Sequence, residues 1–87
     1  MRIQSVANRR FWQAFRGLPR DVRKQATAAY RVWQRDAFHP SLHFKKVGPD
    51  LWSVRVGLAH RALGQFDGDL LVWTWIGSHA DYDRLLR

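Results

Sequence analysis

Apolar residues recur at helical spacing through the first part of the chain and at strand spacing through most of the rest. Phe11, Phe15 and Leu18 stand at i, i+4 and i+7, with Trp12 widening the stripe, so they share one helix face. Asn8 in front is an N-cap residue, and Gly17 followed by Pro19 is a stop, which predicts a first helix over Arg9–Gly17. Val22, Ala26, Ala29, Tyr30, Trp33 and Ala37 repeat the spacing and predict a second helix from about Pro19 to Asp36, started by Pro19 with Asp21 in its first turn. The aromatic stripe reads as core. The remaining positions, Arg20, Arg23, Lys24, Arg31 and Arg35, read as a solvated face.

The period then changes. Phe38–Ser41 is a loop, because the residue before Pro40 is pushed towards extended backbone. His43–Lys46 reads as a strand with Phe44 facing the core, and Val47–Asp50 as a turn. Leu51–Ile76 reads as three strands and two tight turns. Trp52, Val54 and Val56 alternate with Ser53 and Arg55, and Asp67-Gly68 is a hairpin signal between apolar runs. Gly57-Leu58-Ala59 is a weaker turn. Ser78 then caps a terminal helix over Ala80–Leu86. Arg2–Ala7 fits either a short edge strand or the lead-in to the first helix.

Helices followed by strands with hairpin-length loops predict an α+β fold. The expected form is an N-terminal helical hairpin on one face of a twisted antiparallel sheet of 3–4 strands, with a short C-terminal helix and the other face open. The 87 residues suit one domain, 1–87, and the five Trp and five Phe supply much of its apolar area.

Charge sharpens the picture. Lys+Arg is 15 against Asp+Glu 7, a formal net charge of +8, and the isoelectric point is near 11.4. Most of the cations are Arg, whose planar fork suits phosphate. A small domain this basic fits a polyanionic partner. There is no Cys, which rules out a disulfide framework, a thiolate zinc site and a Cys nucleophile. The first residues, MRIQSVANRRFW, are too polar for a signal peptide, and no run is long enough to span a membrane, so the expected location is the cytoplasm.

Glycine-rich phosphate loops and the nucleophile elbow are absent. His39, His43, His60 and His79 form no helical metal-binding pair, and neither metal nor cofactor is expected. What remains is a basic constellation: His43, Lys45 and Lys46 before the three strands, Arg55 on the face opposite Trp52 and Val54, His60 and Arg61 opening the next strand, and His79 and Tyr82 after the last. Cations and imidazoles on one groove can bind a phosphodiester and stabilise in-line displacement. Strand alternation sets His60 and Arg61 on opposite faces unless the backbone bulges.

HPSLHFKKV at 39–47, LWSVRVG at 51–57, HRALGQF at 60–66 and VWTWIGSHADYDRLL at 72–86 resemble the RelE/ParE superfamily of toxins from type II toxin–antitoxin systems. The likeness runs over nearly the whole chain and is greatest to the RelE- and YoeB-type mRNA interferases. It implies a ribosome-dependent endoribonuclease that cuts mRNA in the A site by attack of a 2′-OH on the adjacent phosphate. Arg61 would contact the scissile phosphate, with Arg55 beside it. His79 and Tyr82 would serve as general acid or base-stacking platform, and His43, Lys45, Lys46 and His60 would bind RNA. The implied partners are a cognate antitoxin, the ribosome and mRNA, with no membrane. Gly64 stands where the family often has an aromatic residue, and His79 and Tyr82 are not adjacent. The general base stays open among His43, His60 and Asp81. A gyrase-inhibiting ParE-like toxin and a non-toxic RNA-binding module are the alternatives.

Overall fold

The computed structural model describes residues 2–86. Strand β1 (Ser5–Ala7) leads into helix α1 (Arg9–Arg16) and helix α2 (Arg20–Arg35). A 3-10 turn at Pro40–Leu42 precedes strands β2 (Lys45–Gly48), β3 (Leu51–Val56), β4 (His60–Asp67) and β5 (Leu70–Ser78), and helix α3 (His79–Leu85) closes the chain. The strands form one five-stranded sheet in the order β1-β5-β4-β3-β2.

The expected α+β class and element order agree with this structure, but the sheet is larger and is mixed. The chain before α1 is a strand, and it pairs parallel with β5, Ser5 opposite Leu71 and Ala7 opposite Trp73. The ladder continues as Asn8 donates its N–H to the Trp73 carbonyl at 3.0 Å. The same Asn8 then caps α1, its side chain accepting from Phe11 N at 3.0 Å. One residue therefore ends an edge strand and starts a helix, which fixes how α1 leaves the sheet.

Both helices lie on the sheet face that carries Trp52, Val54 and Val56. The core beneath them joins Ala26 and Trp33 of α2 to Leu42, Phe44, Val54, Val56, Ala62, Leu71, Trp73 and Ile76, with Phe11, Phe15 and Leu18 packed at its margin. Trp33 meets Trp73 edge-on at 5.2 Å and Phe44 at 5.8 Å, and Phe44 lies 4.7 Å from Trp52. The two edge-to-face pairs of Trp33 each add about 0.5–1.5 kcal/mol beyond their buried area.

A bulge on β5 determines which Trp belongs to this core. Leu63 pairs with Trp75 but Gly64 pairs with Trp73, so Thr74 is the extra residue. Trp73 and Ile76 consequently face the helices while Trp75 turns to the other side. Gly64 sits where a Cβ would stand 2.9 Å from Leu71 Cδ1 and 3.0 Å from Trp73 Cε3. Glycine at this position is thus a packing requirement, since Leu71 and Trp73 already fill the space.

Gly64→Ala should lower stability by about 1–3 kcal/mol through overpacking. Gly68, in a left-handed turn with nothing within 4 Å of its would-be Cβ, should accept Asn with a change of less than about 0.5 kcal/mol. Urea unfolding of both variants checks this, and an unchanged Gly64→Ala midpoint would remove the packing argument.

Candidate active site

Alternation along β3, β4 and β5 sends Ser53, Arg55, Arg61, Leu63, Trp75 and Gly77 to the face away from α1 and α2. The registers agree: Arg55 lies directly opposite Arg61, Ser53 opposite Leu63, and Arg61 opposite Gly77. Gly77 leaves room for a neighbour here, because a Cβ would come within 2.4 Å of the Trp75 ring. Helix α3 folds back over this face, capped by Ser78 Oγ accepting from Asp81 N at 3.1 Å. His79 N also donates to the Ala59 carbonyl at 2.8 Å, which ties the start of α3 to the β3–β4 turn.

Arg61 is the centre of this face, and it is 6% exposed. Its Nε donates to Ser53 Oγ at 2.9 Å, and Nη2 donates to the same oxygen at 2.6 Å and to the His43 carbonyl at 3.2 Å. The Tyr82 ring covers the guanidinium at 5.1 Å, and the Tyr82 hydroxyl donates to Ser53 Oγ at 3.3 Å. Among the described residues Nη1 makes no hydrogen bond. Burial lowers the Arg61 pKa from its ordinary value, and Arg55 opposite lowers it further, while Tyr82 works in the other direction. An ordinary value so far above neutrality leaves the group charged at physiological pH.

Other residues expected at the site are arranged unequally. Arg55 is half-buried and donates from Nε to the Gly57 carbonyl at 3.1 Å. His79 is exposed at the start of α3, edge-on to Tyr82 at 5.7 Å, with Nδ1 3.3 Å from Asp83 Oδ2. Lys45 pairs with Ser53 and so shares the Arg61 face, whereas Lys46 pairs with Trp52 and belongs to the opposite face. His60 pairs with Val56, on the helix-covered face, because the bulge lies farther along β4 and leaves the His60–Arg61 alternation intact. His43 precedes β2 rather than lying in it. Its backbone is left-handed, φ 44°, and it meets Arg61 through its carbonyl. Asp81 pairs with Arg84, and that hydrogen bond, with a second from Ser78, holds its carboxyl below the usual range, which makes it a weaker base.

Sequence reasoning missed Ser53, which is fully buried and joins Arg61 to Tyr82. Its signal was a small hydroxyl on the same strand face as Arg55, two residues before it. Among the described residues no group of three or more His, Cys, Asp or Glu gathers to hold a metal. No helix among them is long and apolar enough to cross a membrane.

The ParE-like toxin domain model matches residues 20–84, and the chain belongs to that family. The fold is similar to that of the RelB–RelE antitoxin–toxin complex from Methanococcus jannaschii, with a TM-score of 0.73 at 15% identity, covering 94% of this chain and 99% of that one. It is also similar to the toxin–antitoxin complex RelBE2 from Mycobacterium tuberculosis, with a TM-score of 0.70 at 14% identity, covering 91% of this chain and 100% of that one. Free RelE toxin of E. coli, as a mutant, gives 0.69 at 14% identity, covering 95% and 90%. No curated protein matches the sequence.

Ser53→Ala removes the acceptor for Arg61 Nε, for one Nη2 bond and for the Tyr82 hydroxyl. It should cost about 2–4 kcal/mol, because the charged group stays buried with fewer partners. Tyr82→Phe keeps the ring on the guanidinium and should cost less than about 1 kcal/mol. Denaturant midpoints order the two, and equal losses would show that the ring and the hydroxyl network do not act separately.

Proposed function

We propose that the chain is a ribosome-dependent endoribonuclease that cuts mRNA in the A site. The observation that carries this reading is the pair Arg55 and Arg61, directly opposite across β3 and β4 with no ion-paired carboxylate on either among the described residues. Like charges facing each other across strands are unfavourable, and a phosphate between them converts repulsion into attraction. Arg61 has its Nη1 edge left for a phosphoryl oxygen, and Arg55 closes the other side.

In the reaction the 2′-oxygen of one nucleotide attacks the adjacent phosphorus and gives its proton to water. The bond to the 5′-oxygen breaks, leaving a 2′,3′-cyclic phosphate and a 5′-hydroxyl. Both arginines neutralise the extra negative charge of the phosphorane. They are fixed beforehand by Ser53, the His43 carbonyl and the Gly57 carbonyl, so little reorganisation accompanies the chemistry. His79, exposed beside Tyr82, donates the proton to the departing 5′-oxygen. Lys45 holds the incoming RNA backbone. Tyr82 acts by positioning Arg61. The His43 side chain, His60 and Lys46 lie outside this arrangement and contribute to binding only at its margins.

A cognate antitoxin with an acidic or amphipathic segment is the expected protein partner, complementary to the basic face. The match to the ParE-like family model supports a second reading, inhibition of DNA gyrase without RNA cleavage.

Expression of the wild-type chain should arrest growth and produce breaks within translated messages by primer extension. Arg55→Ala and His79→Ala should each lower cleavage by about 10²–10³-fold with the fold intact by circular dichroism. Growth arrest with intact messages and induced DNA damage would favour gyrase inhibition. Cleavage unchanged in both variants would remove the site assignment.

A further inference from the structure

The acidic residues of this chain are all Asp, and they stand at turns and helix ends: Asp21, Asp36, Asp50, Asp67, Asp69, Asp81 and Asp83. Ion pairs among the described residues form only within α3. This leaves one long basic surface with no internal counter-charge. On α2, Arg20, Lys24, Arg31 and Arg35 are exposed at i, i+4, i+11 and i+15, positions that fall on one side of the helix. They extend over roughly 22 Å at the helical rise. Arg23 stands beside them with Nη1 donated to the Leu18 carbonyl at 3.0 Å, which directs a fixed cation to the same edge. Thr27 and Ala28 are small, and with Arg20, Arg23, Lys24 and Arg31 they line a shallow groove. Asp21, at the N-terminal end of this helix, makes no ion pair among the described residues, and Asp36, just beyond its C-terminal end, accepts from Phe38 N at 3.2 Å.

We infer that this face of α2 is a second RNA-docking surface, one that fits the phosphate backbone of a double-helical RNA. The groove offers guanidinium and ammonium donors but presents no aromatic ring for stacking unpaired bases, so it suits backbone contact more than single-strand binding. A straight row of cations fits a regular array of phosphates. Helix α2 packs on the Trp52 and Val54 side of the sheet, while Arg61 lies under Tyr82 on the other, and Arg55 stands at the edge between them, lining a groove with Ala28 and Val32 of α2. The chain is only 24 Å across its shortest dimension. It can therefore lie between two RNA segments, one held on α2 and one presented to the paired arginines. The choice of RNA over DNA rests on the endoribonuclease reading; the unpaired row of charge does not.

The test is fluorescence anisotropy of the purified chain with a 20-base-pair RNA duplex over a range of salt. The variant K24Q/R31Q/R35Q alters exposed side chains only, and its melting temperature should match wild type. It should bind the duplex at least about tenfold more weakly, with the slope of log affinity against log salt reduced by roughly 2–3. A control with the same charge loss, R2Q/R9Q/R10Q, should lose much less. Equal losses in the two triples would reduce the effect to net charge and overturn the surface. Unchanged affinity and slope in K24Q/R31Q/R35Q would also overturn it, and tighter binding of a DNA duplex of the same sequence would overturn the RNA assignment. Messages that stay uncut on expression, combined with loss of duplex binding in K24Q/R31Q/R35Q, would sink the nuclease reading and leave this surface standing.

Discussion

Arg61 carries a positive charge on a side chain almost removed from water, and its partners have to offset the cost of that removal. Taking such a charge out of water costs several kcal/mol even after relaxation. Ser53 Oγ accepts two of its N–H groups, the His43 carbonyl accepts another, and the Tyr82 ring supplies the face of a π-system. None of these partners carries a negative charge. The guanidinium is held by these partners without being neutralised, and Nη1 makes no hydrogen bond among the described residues. On the endoribonuclease reading that is the useful state, because a carboxylate partner would have cancelled the charge. The same arrangement makes α3 part of the site, since Tyr82 reaches Arg61 only when the helix lies across the sheet.

This constraint extends into the fold. Ser53 and Arg61 meet only in one register of β3 on β4, and a shift by one residue would send Arg61 into the aromatic core. The bulge at Thr74 lets β5 serve both faces, keeping Trp73 and Ile76 in the core and placing Trp75 beside Gly77 and the arginines. Gly64 and Gly77 mark the positions where the two Trp rings take the space of a side chain. The parallel pairing of β1 holds the outer edge of β5 and sets the entry of α1 through Asn8.

Both long helices were legible because Phe11, Phe15 and Leu18, and later Val22, Ala26 and Trp33, repeat at the helical period over several turns. The β3–β4–β5 meander was legible from Trp52, Val54, Val56 and Asp67-Gly68. β1 was not settled, since three residues carry too little pattern and their pairing with β5 is non-local. The phase of LLVWTWI was hidden for a related reason: strict alternation treats Trp73 and Trp75 alike, and only the bulge separates them. At the site, the opposition of His60 and Arg61 followed from alternation alone. The burial of Arg61 did not, because it depends on Ser53 from one strand and Tyr82 from a later helix arriving together. His43 was assigned to a strand because the left-handed turn after Pro40 has no Gly to announce it.

The distribution of charge connects these parts. With +8 formal charges and ion pairs confined to α3 among the described residues, the free chain repels itself on both faces. A fold selected only for stability would intersperse Asp or Glu along the exposed face of α2, as each such change would relieve repulsion at no cost to packing. The acids are instead short Asp side chains, mostly at turns and helix ends; Asp36 holds the chain after α2 through Phe38 N, and Asp81 and Asp83 pair within α3. Cations are therefore left uncompensated on the two surfaces while carboxylates are used for local geometry. That division makes sense when the compensating charge belongs to the partner, so that binding relieves a repulsion already built into the isolated chain.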